Sequence, residues 1–209
     1  GYLGYKNARF GKIESHEAVT AMSRELMLQA KKVAEDMGFT VIHMYVDCLF
    51  VQQEGFRKPS EFMSLMNAIE EKTGIPIALE GVFKWVAFLA SKRDSRVPVP
   101  NQYFGAFQDG TLKYRGIELR RRDTTVWVRK IQLKALEVLA GANTPHEFAD
   151  RIPDVMALVE CAKRDLRIGR VPLEELVVHQ RLSRTIEAYT TPSPAARAAL
   201  QLQAHGRQF

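Results

Sequence analysis

The sequence predicts an α+β fold, with an antiparallel sheet and packed helices over residues 1–122 and a mainly helical part over residues 123–209. Apolar residues recur at helical spacing in two stretches of the first part. Short runs rich in β-branched and aromatic residues lie between and after these stretches, as is typical of strands. Beyond residue 123, the apolar spacing is mostly helical.

The first half of the sheet part contains two predicted helices and a pair of strands. Residues 14–38 form a helix that ends at Gly38, with an apolar face made of Val19, Met22, Leu26, Ala30 and Val33. Residues 40–52 form two short strands that meet near residues 45–47, although no Gly or Pro marks a turn there. A second amphipathic helix spans residues 58–74, with Pro59 near its start and Gly74 at its end.

The remaining elements follow from turn residues and spacing. Residues 75–90 are predicted to form one or two strands, and residues 91–102, with two prolines, a loop. Asp109-Gly110 predicts a tight hairpin turn between alternating strands. Residues 124–141, 145–169 and 192–206 are predicted to be helical. Six large apolar residues of the strand and helix segments are expected in the core: Phe83, Trp85, Phe88, Trp127, Leu133 and Leu136.

Composition excludes two classes of protein. The chain has 209 residues, is 46% hydrophobic and contains no run of 18 apolar residues, so we expect no membrane span. Cys48 and Cys161 lie far apart without a Cys/His cluster, so a zinc site is not expected, and we expect reduced thiols in the cytoplasm. Because the chain does not start with Met, we expect it to be a fragment of a longer protein.

The positive charge is concentrated in one segment. Residues 84–130 contain eleven basic and four acidic residues, a net charge of +7, so the rest of the chain sums to −1 out of the total of +6. A basic segment of this kind is typical of a surface that binds a polyanion. The alternative is an ordinary solvated, charged surface.

Asp47 is the one carboxylate in an apolar run of residues 39–53. It is either an ordinary exposed turn acid or a metal ligand presented on a hairpin. Carboxylates on rigid strands are the hard oxygen ligands that Mg²⁺ requires.

Several stretches occur in a specific order along the whole chain. They are GYLGYKNARFG at residues 1–11, EAVTAMSRE at 17–25, VIHMYVDCLFV at 41–51, SKRDSRVPVPNQYFG at 91–105, RGIELRRRDT at 115–124 and PLEELVVHQ and its continuation at 172–206. In this order they resemble the C-terminal half of a family B DNA polymerase, most closely the divergent archaeal and bacterial branch with an altered Asp-Thr-Asp motif.

The resemblance implies a palm-type antiparallel sheet over residues 1–122 and a thumb, incomplete at its C-terminus, over residues 123–209. It also implies that the full-length parent is a DNA-directed DNA polymerase that uses Mg²⁺ or Mn²⁺. The fragment alone is expected to be inactive, because the other polymerase domains lie upstream.

The resemblance assigns metal-binding roles to two residues. Asp47 takes the place of the second Asp in the family's Tyr-x-Asp-Thr-Asp-Ser motif, and is implied to be catalytic and a metal ligand. Glu80 lies where the family often has a second acid near the metals. Tyr45, Val46 and Cys48 replace the first Asp, the Thr and the Ser. A neutral Tyr does not ligate Mg²⁺, and a thiol suits a hard cation poorly. The alternative is therefore a catalytically impaired polymerase-like protein that only binds primer–template DNA.

The basic segment is implied to hold primer–template DNA, and the Gly/Tyr-rich start to approach the dNTP. The DNA-binding residues would be Lys92, Arg93, Tyr103, Gly105, Arg115, Gly116, Arg121 and Arg122, and the nucleotide-binding residues Tyr2 and Tyr5. The alternatives are a strand aromatic for Tyr103, bulges for the two glycines and a local Arg122–Asp123 ion pair.

Overall fold

A computed structural model of the chain describes residues 2–5, 7–179, 181–191 and 193–206. The chain divides into two compact units, Gly1–Ile117 with Leu136–Pro153, and Glu118–Ala135 with Asp154–Phe209. Residues 136–153 thus belong to the first unit. A single boundary at residue 122 would have assigned them to the second unit. The palm and thumb assignment itself stays a prediction.

The described residues contain seven α-helices and five strands. The helices are α1 (Ile13–Asp36), α2 (Met63–Thr73), α3 (Val126–Ala140), α4 (Pro145–Asp150), α5 (Ile152–Arg167), α6 (Leu173–Leu176) and α7 (Pro194–Ala204). The strands are β1 (Thr40–Tyr45), β2 (Cys48–Gln52), β3 (Phe83–Ala90), β4 (Pro98–Phe107) and β5 (Leu112–Arg115). These elements confirm the predicted α+β class and most predicted elements. None of the described helices is long and apolar enough to cross a membrane.

Helices α1 and α2 pack together over the main core of the first unit. The predicted apolar face of α1 is confirmed in its C-terminal half, where Ala30 and Ala34 are buried, and is wrong for Val19 and Met22, which are exposed. The first half of α1 lies instead against residues 2–4, where the His16 ring is close to Gly4. The buried residues of this core are Ala30, Ala34, Phe39, Phe62, Leu65 and Ile69.

Helix α2 begins through a short 3₁₀ turn at Pro59–Phe62. The Glu61 carboxylate accepts hydrogen bonds from the backbone N–H groups of Lys58 and Arg57, each at 2.6 Å. These bonds, that of Lys58 first, lower the pKa of Glu61. The helix ends at Gly74, which has φ 69°.

The strands form two antiparallel sheets, β1–β2 and β3–β4–β5, with β4 in the centre of the second. The prediction of a loop over residues 91–102 is wrong from Pro98 onward, because β4 begins there opposite Ala90. Strand β5 pairs with residues 103–106 only. Pro98 and Pro100 therefore lie in the part of β4 that has no β5 partner. Because no β5 carbonyl oxygen is there to accept a hydrogen bond, the missing backbone N–H groups of these prolines are tolerated.

An aromatic cluster joins the two sheets within the first unit. The ring of Phe50 on β2 lies 6.1 Å from Phe83, 5.7 Å from Phe88 and 5.4 Å from Tyr103, measured between ring centroids. His43 Nε2 lies 2.8 Å from the carbonyl oxygen of Pro100. Because a carbonyl oxygen only accepts, Nε2 carries the hydrogen of this bond. The β1–β2 hairpin is thereby fixed on one face of the three-stranded sheet.

The six residues expected in the core differ in burial, and Phe83, Phe88 and Trp127 are half-buried. Trp85 and Leu136 are buried, whereas Leu133 is exposed, so the expectation for Leu133 is wrong. Trp85 Nε1 donates to the carbonyl oxygen of Ala142 at 3.2 Å, and its ring lies edge-on to Phe148 at 4.8 Å. These contacts join residues 142–148 to β3 in the first unit. In the second unit, an ion pair of 2.6 Å between Lys130 and Glu175 connects α3 to α6.

Candidate functional site

Asp47 lies at the tip of the β1–β2 hairpin. Tyr45 pairs with Cys48 across the hairpin, so Val46 and Asp47 are the two turn residues. Val46 has φ 54°. A β-branched residue in this left-handed region is strained, typically by about 1–3 kcal/mol. The strained turn leaves the Asp47 side chain exposed at the hairpin tip.

Replacing Val46 with Gly is expected to raise the free energy of unfolding of the chain by about 1 kcal/mol, because Gly adopts positive φ without a Cβ clash. Urea denaturation followed by circular dichroism measures this change. The matched control is Val97→Gly, an exposed valine outside the positive-φ residues, which is expected to destabilise slightly. Equal effects of both substitutions would show that Val46 is not strained.

Cys48 lies beside Asp47 and has the character of a neutral thiol. Its Sγ donates to Asp47 Oδ1 at 3.5 Å. Burial raises the pKa of the Cys48 thiol most, followed by the hydrogen bond to Asp47 and the negative charges of Asp47 and Glu80, while Arg115 lowers it. The protonated thiol therefore supplies a weak donor to the carboxylate, at the position where the family motif has Ser.

The raised pKa of Cys48 predicts slow alkylation. In a Cys161→Ala variant, which leaves a single thiol, the pH midpoint of the iodoacetamide rate should lie above the ordinary thiol value of about 8.5. Asp47→Asn should lower the midpoint, because it removes a charge that disfavours the thiolate. Asp109→Asn, at the other hairpin turn, should not change it. The rates are measured in the presence of a metal chelator. An unchanged midpoint in Asp47→Asn would contradict the contact between Cys48 and Asp47.

The first unit gathers further charged groups around the hairpin tip. Opposite residues on neighbouring antiparallel strands share a face of the sheet. Tyr103 on β4 lies opposite Arg115 on β5, and Gly105 lies opposite Lys113. Because Phe50 packs on Tyr103, this is the face that carries the β1–β2 hairpin. Sequence reasoning missed Lys113, although its alternation with Arg115 on a predicted strand placed both on one face.

Glu80 forms an ion pair with Lys113. The side chain of Lys113 is 18% exposed and that of Glu80 is 56% exposed. The negative charges of Asp47 and Glu80 both contribute to the raised pKa of Cys48.

The donor set fits only a part of a divalent metal site. Asp47 offers an exposed carboxylate, whereas the carboxylate of Glu80 is already paired with Lys113. Among the residues that the structure describes, no group of three His, Cys, Asp or Glu could hold a metal ion. Tyr45, at the first Asp position of the motif, stacks on His43 with 10° between the ring planes. The chemistry of these oxygens suits Mg²⁺ or Mn²⁺ if further ligands complete the site.

The predicted DNA-binding residues fall into exposed and buried groups. Lys92, Arg93, Arg115 and Gly116 of the first unit are exposed, as are Arg121 and Arg122 of the second. Gly116 has φ 65°, and a Cβ there would collide with the carbonyl oxygen of Asn101.

Tyr103 and Gly105 are buried and leave little surface for a DNA contact. Tyr103 is 6% exposed, and burial is the main cause of its raised pKa. A Cβ at position 105 would lie 2.7 Å from the carbonyl oxygen of Trp85 and 2.9 Å from the Phe83 ring. Close packing thus requires Gly105, and both residues have structural roles.

The expected local pair involves Arg121 rather than Arg122. Arg121 Nε and Nη2 donate to the two carboxylate oxygens of Asp123 at 3.0 and 2.7 Å. This bidentate bond lowers the pKa of Asp123 and raises that of Arg121. Arg122 has no ion pair within the described ranges.

Tyr2 and Tyr5 are both exposed, 58% and 61%, at the start of the chain. Tyr2 lies in a short 3₁₀ turn, Tyr2–Gly4. Their predicted contact with a nucleotide stays a prediction.

Comparisons with known proteins bear on the whole chain. The family model described as DNA polymerase family B matches residues 1–208. A DNA polymerase of Archaeoglobus fulgidus is 28% identical over 206 residues, covering 99% of this chain and 24% of the relative. DNA polymerase 2 of Aeropyrum pernix is also 28% identical over 206 residues, covering 99% of this chain and 23% of the relative.

One solved structure is similar over the complete chain. The family B DNA polymerase from the hyperthermophilic archaeon Pyrobaculum calidifontis has a TM-score of 0.59 and 26% identity, and the match covers 100% of this chain and 24% of that chain. The chain thus spans about a quarter of the length of these relatives. The family match over residues 1–208 confirms the resemblance seen in the sequence, and the chain belongs to DNA polymerase family B.

Proposed function

We propose that the protein that carries this chain is a DNA-directed DNA polymerase, to which residues 1–122 contribute palm and residues 123–209 thumb. The observation that carries the proposal is the exposed Asp47 at the hairpin tip, at the motif position of a metal-binding Asp, in a chain of this family. The reaction is the template-directed transfer of a nucleotide from a dNTP to a primer 3′-hydroxyl.

Asp47 would be one ligand of the Mg²⁺ or Mn²⁺ ions, and its partner ligands would come from outside these 209 residues. When bound, a pair of such ions activates the attacking hydroxyl and stabilises the leaving oxygen. The chain's own residues orient Asp47. The Val46 turn fixes the backbone, and the Cys48 thiol donates to one carboxylate oxygen. Tyr2 and Tyr5 would contact the incoming nucleotide with their exposed rings.

The exposed cations would bind the phosphates of primer–template DNA. Lys92, Arg93 and Arg115 would do so in the first unit, and Arg121 and Arg122 in the second. Contacts between cations and phosphates release counterions and carry little sequence information. A polymerase requires this kind of contact because it copies any template. Gly116 is exposed and would lie beside a phosphate, with Asn101 occupying the space that a side chain would take.

A second candidate function is binding of primer–template DNA without catalysis. Two observations favour it: Tyr45 stacks on His43 at a motif position of a metal-binding Asp, and Glu80 is already paired with Lys113. Under this function the basic surface is retained and the chemistry is lost.

Primer extension by the full-length protein tests the two functions against each other. A primed template is incubated with dNTPs and either Mg²⁺ or Mn²⁺, and binding to the same DNA is measured in parallel. Extension supports the polymerase. Tight binding without extension in either metal would overturn it in favour of the binding function. Absence of both would contradict both functions.

A further inference from the structure

We propose that Arg129 is a positioning residue for DNA binding, whose guanidinium holds the arginine turn, residues 120–123, in the conformation that presents Arg121 and Arg122 to phosphates. The inference rests on the proposed function, because it concerns two of the cations assigned there to primer–template DNA. The contact that carries it is direct: Arg129 Nη2 donates to the carbonyl oxygen of Arg121 at 2.6 Å. Both residues belong to the second compact unit.

Arg129 is anchored by helix α3. It lies near the start of the helix, where its backbone N–H donates to the carbonyl oxygen of Thr125 at 3.1 Å. Its side chain is half-buried, and its Nε is a buried atom without a hydrogen-bond partner among the described residues. Because the guanidinium is planar and rigid, burial of Nε restricts the positions of its other nitrogens. Arg129 is therefore the fixed partner of the hydrogen bond, and the arginine turn is the part that it holds.

The other hydrogen bonds of the arginine turn within the described ranges are local. The backbone N–H of Arg121 donates to the carbonyl oxygen of Glu118 at 2.9 Å, at the end of the short 3₁₀ turn Glu118–Arg120. The exposed pair of Arg121 with Asp123 joins residues only two positions apart. Of the hydrogen bonds between described residues, the bond from Arg129 is the one that connects the arginine turn to α3. Loss of this bond therefore releases the turn from the helix.

A fixed arginine turn raises DNA affinity because it lowers the entropy cost of ordering the turn on binding. Arg121 and Arg122 are exposed, so the backbone beneath them is the part that Arg129 can order in advance. The number of phosphates contacted in the complex is the same whether or not the turn is ordered beforehand. The dependence of affinity on salt reports that number. A positioning role therefore predicts weaker binding with an unchanged salt slope when Arg129 is lost.

The rival explanation is that Arg129 itself binds a phosphate. Its half-buried side chain and the bond from Nη2 to a carbonyl oxygen leave less of the guanidinium for DNA than in Arg121 or Arg122. A direct contact contributes its own share to the salt slope, and its effect does not depend on Arg121 and Arg122. The salt slope and a double-variant comparison therefore separate the two explanations.

The test is fluorescence anisotropy of the full-length protein with a labelled primer–template at three salt concentrations. Arg129→Met is expected to weaken binding about fivefold, with the slope of log affinity against log salt unchanged. In a background of Arg121→Ala with Arg122→Ala, Arg129→Met should have no further effect, because its role passes through these two side chains. Arg129→Lys keeps the charge without the planar fork of donors, and is expected to weaken binding by a similar factor.

Arg151→Met is the matched control. Arg151 is also a half-buried arginine that donates to backbone carbonyl oxygens, those of Val138 at 3.3 Å and Gly141 at 3.1 Å. Its replacement removes the same charge and the same kind of bond, at the C-terminal end of α3 rather than at its start. DNA affinity should stay unchanged in this variant. Circular dichroism checks that each variant is folded.

Several results would overturn the positioning role. These are unchanged affinity in folded Arg129→Met, a salt slope reduced by about 1, an equal loss in the Arg121→Ala with Arg122→Ala background, or an equal loss in Arg151→Met. Wild-type affinity in Arg129→Lys also contradicts it, and this variant takes the place of Arg129→Met if the latter does not fold.

The Arg121→Ala with Arg122→Ala variant separates this failure from that of the proposed function. If this variant binds DNA as tightly as the wild type, the proposed DNA contacts of the arginine turn fail, and the role of Arg129 fails with them. If it binds weakly while Arg129→Met binds normally, the role of Arg129 alone is contradicted.

Discussion

Primer extension by the full-length protein is expected to fall at least about a thousandfold when Asp47 is replaced by Asn, which corresponds to roughly 4 kcal/mol of transition-state stabilisation. Asn keeps the size of the side chain and accepts a hydrogen bond from Cys48, but it removes the charge that a hard cation requires. The turn itself should be unaffected, because Asn tolerates hairpin-tip conformations well. The loss should therefore appear in the rate and not in the stability.

Single-turnover extension of a labelled primer at saturating dNTP measures this effect without a contribution from product release. Asp109→Asn is the matched control, since it makes the same change at the tip of the β4–β5 hairpin, where the carboxylate accepts from the backbone N–H of Thr111 at 2.8 Å. It should extend primers at the wild-type rate. An Asp47→Asn protein as active as the control would remove Asp47 from the catalytic site.

Reversal of charge at Arg121 and Arg122 is expected to weaken binding to primed duplex DNA about thirtyfold at moderate salt. The loss of two phosphate contacts should also reduce the slope of log affinity against log salt by about 2. The two residues should not contribute equally, because Asp123 already neutralises part of the charge of Arg121. We expect Arg122→Glu to have the larger effect. For the same reason, Asp123→Asn should tighten DNA binding a few fold.

Fluorescence anisotropy with a labelled primer–template at three salt concentrations provides both the affinity and the slope. Arg24→Glu with Lys32→Glu on α1 is the control, because it changes the net charge by the same amount on exposed residues outside the basic segment. Its effect should be small at moderate salt, where the Debye length is about 8–10 Å. Equal losses in both double variants would mean that net charge, and not a defined surface, controls binding.

The fold was predictable wherever one local signal determined an element. Gly38 and Gly74 closely follow the last residues of α1 and α2, and Asp109-Gly110 forms the turn before β5. The start of β4 was not predictable, because Pro98 locally signals a loop. It becomes a strand because β3 pairs with it, whereas β5 is too short to reach it. The residues next to Pro98 in the sequence reveal neither the pairing with β3 nor the length of β5.

The site was predictable to a similar degree. Asp47 stood out as a single acid in an apolar run, and the structure places it at the tip of a two-residue turn. Lys113 was missed because its partner Glu80 lies 33 residues earlier in the chain. No periodic pattern relates residues at that separation. The register of the Asp109-Gly110 hairpin would have placed Lys113 opposite Gly105 and thus on the face that carries Asp47.

The two tryptophans of the chain provide a spectroscopic means of observing each compact unit separately. Trp85 belongs to the first unit, where it is buried and bonded to Ala142, and Trp127 belongs to the second and is half-buried. Since the chain contains two tryptophans in total, Trp127→Phe and Trp85→Phe each leave one fluorophore, whose emission shifts to the red as its own unit unfolds. Comparing the two unfolding curves shows whether the units unfold together or in sequence.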